Sequence, residues 1–236
     1  MSVADTDPAG FRMLVVAESI RLFGEHGYES TTVEQIAAAA GISRRTFFRQ
    51  FGSKEDVIFA DHESLLTQVG ETLDSSTGDP WTAVCRAAEV VFAHFRRDRE
   101  LAVRRAQVVQ EVPALRDREL VTTYRYQGAF EDFLRRRLPD EPPVHIVAYV
   151  AAITGTHNYL LRQMIRGDAA ATPDRLRAEL ARVSVALGVE SPRSVASALS
   201  DDAGERAGRE VTVVTYPAGT SPAEIARRVA DELGNP

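Results

Sequence analysis

Gly41-Ile42-Ser43-Arg44-Arg45-Thr46-Phe47-Phe48-Arg49-Gln50-Phe51 is the stretch on which the reading of this chain turns. Gly41 breaks a preceding helical run at a point where a left-handed backbone costs glycine little. Ser43 is suited to cap a short helix over Arg44 to Gln50. Phe47 is spaced to face inward, which leaves Arg44, Arg45, Thr46, Phe48, Arg49 and Gln50 facing outward. From Ile42 to Lys54 there is no acidic residue, while Arg44, Arg45, Arg49 and Lys54 supply positive charge.

Upstream, Phe11, Leu14, Val15, Leu22 and Phe23 recur at helical spacing, and Gly24 and Gly27 are expected to close that helix. Thr31 and Thr32 each precede an acid or amide by three residues (Glu34 and Gln35), the spacing of a capping box. A short helix is expected over 33–40. Ile36, Ala37, Ala40, Ile42 and Phe47 are spaced to pack the two short helices against each other and against the first. Two short helices joined at a glycine, inside a three-helix cluster, have the geometry of a helix-turn-helix. Arginine can bridge guanine O6 and N7, and glutamine can do the same to adenine. Thr31, Thr32 and Lys54 fall at helix N-termini, where phosphate is favoured.

The whole chain is acidic: 236 residues carry a formal charge of −6. Contact with DNA must therefore come from a local basic patch, and a non-specific binder with a basic surface overall is disfavoured. Hydrophobic residues make up 44%, enough for one large domain or two modest ones. Cys85 is the sole cysteine, so no intrachain disulfide can form. Residues 1–10 show no signal-peptide pattern, and the apolar run 144–153 is too short to span a bilayer, so a cytoplasmic protein is expected.

Beyond Gly52-Ser53, one helix is expected over 54–73, followed by helices over 81–97, 99–111, 115–138, 144–166 and 173–187. Breaks are expected at Asp98, Pro113, 139–143 and 167–172. Residues 188–208 read as a polar linker. Residues 210–216 alternate as a strand does, and Ser221-Pro222-Ala223-Glu224 is suited to start a last helix.

Residues 11–60 resemble the DNA-binding domain of the TetR family of bacterial regulators. The segment from Thr31 to Ala37 is similar to that family's second helix, and Gly41 to Glu55 to its turn, recognition helix and start of the fourth. The resemblance implies base or nearby phosphate contacts at Arg44, Arg45, Thr46 and Arg49, and a phosphate contact at Lys54. Phe48 and Gln50 fall where the family often has tyrosine and histidine or tyrosine, and Phe48 lacks a hydroxyl for phosphate. The resemblance further implies a larger C-terminal domain that dimerises through its last two long helices and encloses a ligand pocket. Ala148, Ala151, Ala152 and Gly155 would permit close helix approach.

Polar and aromatic residues on otherwise apolar helices are the candidates for the pocket: His94, Gln107, Gln110, Tyr124, Tyr149, His157 and Asn158, with Tyr126 and His145 beside them. Similarity of 104–107 and 113–116 to actinobacterial members, some of which sense acyl-CoA-type ligands, suggests an apolar or acyl-CoA-like effector. No histidines stand at metal-ligand spacing, and no phosphate loop, nucleophile elbow or paired carboxylates stand out, so neither metal, cofactor nor enzymatic activity is expected.

The expectation is an all-α fold. A helix-turn-helix domain over 9–56, with its reading motif at 32–51, would join a helical ligand-binding and dimerisation domain over 57–188. A linker and strand-helix extension would follow over 189–236. The protein would act as a homodimeric, ligand-responsive repressor on a pseudo-palindromic DNA operator. The alternative is a small-molecule-binding or enzymatic helical protein with a vestigial helix-turn-helix.

Overall fold

The computed structural model describes residues 8–189, which form ten helices and, among these residues, no strand. They are α1 (Pro8–His26), α2 (Val33–Ala39), α3 (Arg44–Phe51), α4 (Lys54–Ile58), α5 (Ala60–Asp74), α6 (Pro80–Arg97), α7 (Arg99–Glu111), α8 (Pro113–Arg137), α9 (Pro143–Arg166) and α10 (Pro173–Ala186). The expected all-α architecture is what these residues build. The strand expected over 210–216 and the helix expected over 221–235 lie outside the described residues.

Side-chain caps mark most of the starts. Thr32, Ser43, Ser53, Asp79, Asp98 and Thr172 each accept a hydrogen bond from the backbone N–H three residues on. Each such cap satisfies a donor that the helix itself leaves free. The prolines that punctuate the sequence open the helices that follow them, with Pro80, Pro113, Pro143 and Pro173 standing in the first turn. There the missing N–H costs nothing.

Two boundaries differ from expectation. Gly24 does not stop α1, which runs on to His26 and ends at Gly27 with φ 81°. Only the second glycine takes the left-handed conformation that ends a helix. The single helix expected over 54–73 is two, broken at Phe59 with φ −107° and ψ 11°. Five successive residues, Val57, Ile58, Phe59, Ala60 and Asp61, are all buried there. A continuous helix with one inward face cannot bury five in a row, and the break turns the chain so that it can.

The buried apolar side chains form two clusters. One joins Val15, Val16, Ile20 and Phe23 of α1 to Ile36, Phe47, Phe51 and Val57, and it also takes in Val108 and Val109 of α7 and Leu115 of α8. The other lies among α5, α6, α8, α9 and α10 around Phe92, Phe133, Tyr149 and Ile153. Helix α7 thus has a foot in each: Ala102 belongs to the second cluster, Val108 and Val109 to the first.

Candidate nucleic-acid interface and ligand cavity

The end of α2 fixes where α3 points. Ile42 N–H donates to the Ala37 carbonyl (2.8 Å) and Gly41 N–H to the Ala38 carbonyl (3.2 Å), with Gly41 at φ 68°. These two bonds make a Schellman turn, and its left-handed position suits glycine. Ser43 then caps α3 through Thr46 N–H (3.0 Å). Phe47 (0% exposed) and Phe51 (6%) anchor α3 into the first cluster. Each fully buried ring is worth about 2–3 kcal/mol of transfer free energy. Their opposite face carries Arg44, Arg45, Phe48 and Arg49, all exposed, with Thr46 and Gln50 half-exposed.

These cations are not equivalent. Arg44 pairs with Glu34 of α2 at 2.9 Å and lies 5.4 Å from the centre of the Phe48 ring. Phe48 sits edge-on to Phe47 (5.8 Å between centres), so it serves as a platform that orients Arg44. Arg45 and Arg49 make no ion pair among the described residues. The Thr46 hydroxyl is engaged with that of Ser43 at 3.0 Å.

Of the three phosphate contacts expected at helix starts, two turn inward. Thr31 is 1% exposed, and its hydroxyl donates to the carbonyls of Gly27 (2.8 Å) and Leu22 (3.2 Å). It closes the α1–α2 connection from inside and has no surface to offer DNA. Lys54 donates to the carbonyls of Tyr28 (2.8 Å) and Thr31 (3.2 Å), and its ammonium lies 4.1 Å from the centre of the Tyr28 ring. Two of its three N–H donors are thereby spent on holding α4 to the α1–α2 turn. Thr32 alone of the three is exposed, where it completes a capping box with Gln35 (2.8 and 3.2 Å).

Behind this surface, α5, α6, α7, α8 and α9 enclose a cavity of about 260 Å³. Its apolar wall includes Phe59, Ala88, Val91, Phe95, Ala102, Val109, Phe130, Leu161 and Ile165, and its polar members include His62, Arg105, Gln110, Glu119, Thr122, Tyr126, Thr154, His157, Asn158, Arg162 and Arg166. Of the candidates drawn from sequence, Gln110, His157 and Asn158 line it, as does Tyr126. The others do not. Tyr124 is 70% exposed and Gln107 is also on the surface. Tyr149 is fully buried elsewhere, where it donates to the Trp81 carbonyl (3.0 Å) and meets Cys85 Sγ (3.1 Å) and Ser184 Oγ (3.2 Å). His94 stands behind the wall with its Nε2 3.1 Å from Asp61 Oδ2.

Sequence reasoning missed the charged floor of this cavity. Asp61 (3% exposed) pairs with Arg105 (6% exposed) at 2.8 Å. Burial opposes ionisation of Asp61, but the Arg105 guanidinium and the bond to His94 outweigh it and hold the carboxyl below its usual range. His62 meets the Tyr126 hydroxyl through Nδ1 at 3.0 Å, and burial pulls His62 down to about 4. Burial does the same to His157, down to about 4. Both imidazoles are therefore neutral at pH 7. Asp61 and Arg105 are charged residues on helices, a type that sequence alone assigns to the surface.

Among the described residues, four buried side-chain atoms have no hydrogen-bond partner: Asp61 Oδ1, Arg105 Nε, Thr154 Oγ1 and His157 Nε2. Three belong to residues that line this one cavity, and the fourth to the residue that Arg105 holds. Leaving such an atom unsatisfied costs about 1–3 kcal/mol.

A glycine-turned pair of short helices, with arginines on the outer face of the second, places the protein in the helix-turn-helix class of DNA-binding proteins. Residues 15–60, which hold α2, α3 and α4, match the family described as "Bacterial regulatory proteins, tetR family". The chain is 31% identical over 121 residues to a protein of Mycobacterium tuberculosis named as a mycofactocin biosynthesis transcriptional regulator, covering 50% of this chain and 61% of the relative. It is 56% identical over 43 residues to the HTH-type transcriptional regulator TcmR of Streptomyces glaucescens, covering 18% of this chain and 19% of the relative. The chain thus spans less than two thirds of the length of these relatives. In fold it is similar to the FadR regulator of Bacillus subtilis crystallised with stearoyl-CoA, with a TM-score of 0.55 and 17% identity over 72% of this chain and 96% of that one. The SmeT–triclosan complex gives a TM-score of 0.56 at 18% identity, over 75% and 91%. No described helix is long and apolar enough to cross a membrane.

Proposed function

We propose that this protein is a homodimeric transcriptional repressor that reads a pseudo-palindromic operator with α3 and releases it when a small molecule enters the cavity. The observation that carries this reading is the outer face of α3, where Arg45 and Arg49 stand exposed and without ion pairs among the described residues, on a helix whose other face is locked by Phe47 and Phe51. On an acidic chain, an acid-free arginine face suits the major groove.

The dimer is supported by a stripe along α9. Val144 (75% exposed), Val147 (42%) and Tyr159 (52%) lie on one face with exposed Ala148, Ala151 and Gly155, and Val185 of α10 is 58% exposed beside them. Small residues among large apolar ones let helices of two copies approach closely, and such a stripe is unfavourable in water. Ala151→Arg should place a charge in that contact and give a monomer by sedimentation, with operator affinity lost and helicity kept. A variant that stayed dimeric would move the interface elsewhere.

The coupling runs through α7, which lines the cavity with Arg105 and Val109 while Val108 and Val109 pack in the DNA-binding cluster. Exposed pairs of α8 with the opposite side add to it: Arg118 with Asp56 of α4, and Arg125 with Glu63 of α5 at 2.6 Å. A ligand that fits one setting of α7 better than another shifts the spacing of the two α3 helices by that difference in affinity. The test is selection of a binding sequence from random duplexes, followed by fluorescence anisotropy on the selected duplex. A discrete palindromic consensus supports the reading, whereas uniform binding to all duplexes contradicts it.

A further inference from the structure

The cavity's unpartnered atoms have a chemistry of their own. His157 Nδ1 lies 3.1 Å from Asn158 Oδ1. A carboxamide oxygen only accepts, so Nδ1 carries the proton, and Nε2 of the neutral ring is left as a bare acceptor on a residue that lines the cavity. Thr154 lies three residues earlier on α9, its hydroxyl also without a partner. Both side chains are more than nine-tenths buried, at 6% and 7% exposure. Residues three apart share a helix face. One hydroxyl placed against both would be satisfied twice: it donates to His157 Nε2 and accepts from Thr154.

The remaining polar wall says what the guest is not. Arg105, the buried cation, already has its counter-ion in Asp61 at 2.8 Å, although its Nε–H has no partner. The free oxygen of Asp61 behind it would repel an anion. Arg162 and Arg166 line the cavity only from its exposed rim. No buried lining cation without its own counter-ion is therefore available to offset the desolvation of a carboxylate or phosphate.

We propose that the cavity takes a neutral, largely apolar molecule bearing a hydroxyl, held by Thr154 and His157, rather than an anionic acyl compound. Its regulatory consequence rests on the reading of the protein as a ligand-responsive repressor, but the binding chemistry does not.

The experiment is calorimetric titration of the full chain with three probes of one shape: 4-hydroxybiphenyl, 4-methoxybiphenyl and biphenyl-4-carboxylate. The hydroxyl compound should bind about tenfold more tightly than the methyl ether, the scale of one well-made hydrogen bond. It should also bind more tightly than the carboxylate. Thr154→Val and His157→Leu should each shrink the hydroxyl-over-ether preference and leave ether binding within about twofold. Circular dichroism of both variants separates this result from misfolding, and Thr154→Val, being isosteric, is the one expected to fold unchanged. The proposal is overturned if the carboxylate binds tightest, if hydroxyl and ether bind alike, if both variants keep the preference, or if none of the three probes binds. Binding with the predicted preference but without any effect on duplex affinity leaves the ligand chemistry standing and removes the regulatory reading instead.

Discussion

Arg45 and Lys54 carry the same charge in the same acid-free window, yet their surroundings give them different work. Arg45 is exposed on α3 with nothing to hold it. Lys54 is bound to two carbonyls and a tyrosine ring. Lys54→Ala is therefore expected to lower stability by about 2 kcal/mol, the scale of charge-assisted hydrogen bonds. It should leave the salt dependence of duplex binding unchanged. Urea denaturation and a salt titration check both halves. A slope reduced by about one unit at unchanged stability would instead mark Lys54 as a phosphate contact. Thr154→Val makes the opposite prediction for the ligand-free fold. Removing an unpartnered buried hydroxyl should raise stability by about 1 kcal/mol in the same denaturation. A loss of that size would mean that the hydroxyl has a partner in solution. Of the residues read from sequence, the α3 face was legible because helical spacing and charge agree there. The inward turn of Thr31 and Lys54 was not, because nothing local says that a threonine or lysine at a helix start will bond backbone carbonyls, which for Lys54 lie 23 and 26 residues earlier in the chain.

At the scale of elements, the helices were legible where a cap or a proline marks a start. Residues 99–111 were delimited by Asp98 and Pro113, and the structure places α7 there. The break at Phe59 was not legible, because every residue around it can continue a helix and only burial of five consecutive side chains forces the turn. The cavity was partly legible. Gln110, His157 and Asn158 stood out as polar residues on apolar helices, but a fully buried Tyr149 and a surface Tyr124 gave the same local signal. Which side of a helix faces a cavity depends on its neighbours, and α8 and α9 are long enough to meet several.

For the whole molecule, buried titratable groups set the acid limit. Unfolded, His62 and His157 titrate near the ordinary 6.5, whereas folded they titrate at about 4. Above 6.5 both states are neutral and stability is complete. As the pH falls from 6.5 towards 4, only the unfolded chain takes up the protons, so stability declines by up to roughly 1.4 kcal/mol per pH unit for each histidine. Asp61, held below its ordinary 3.8, adds a loss in the same direction at lower pH. Around His62 the charges of Asp61, Arg105, His94 and Arg125 all bear on the size of the effect. Thermal denaturation between pH 7.5 and 4.5 should show a falling midpoint, smaller in His157→Leu. A flat profile would mean that these rings are hydrated in solution.

The central claim is that α3 reads DNA. On the duplex recovered by selection, Arg45→Ala should cost about 1–3 kcal/mol of binding free energy and relax the preference at one base step in each half-site. Anisotropy titrations on that duplex and on single-base variants measure both quantities. Wild-type affinity in Arg45→Ala, with every base preference intact, would contradict the account.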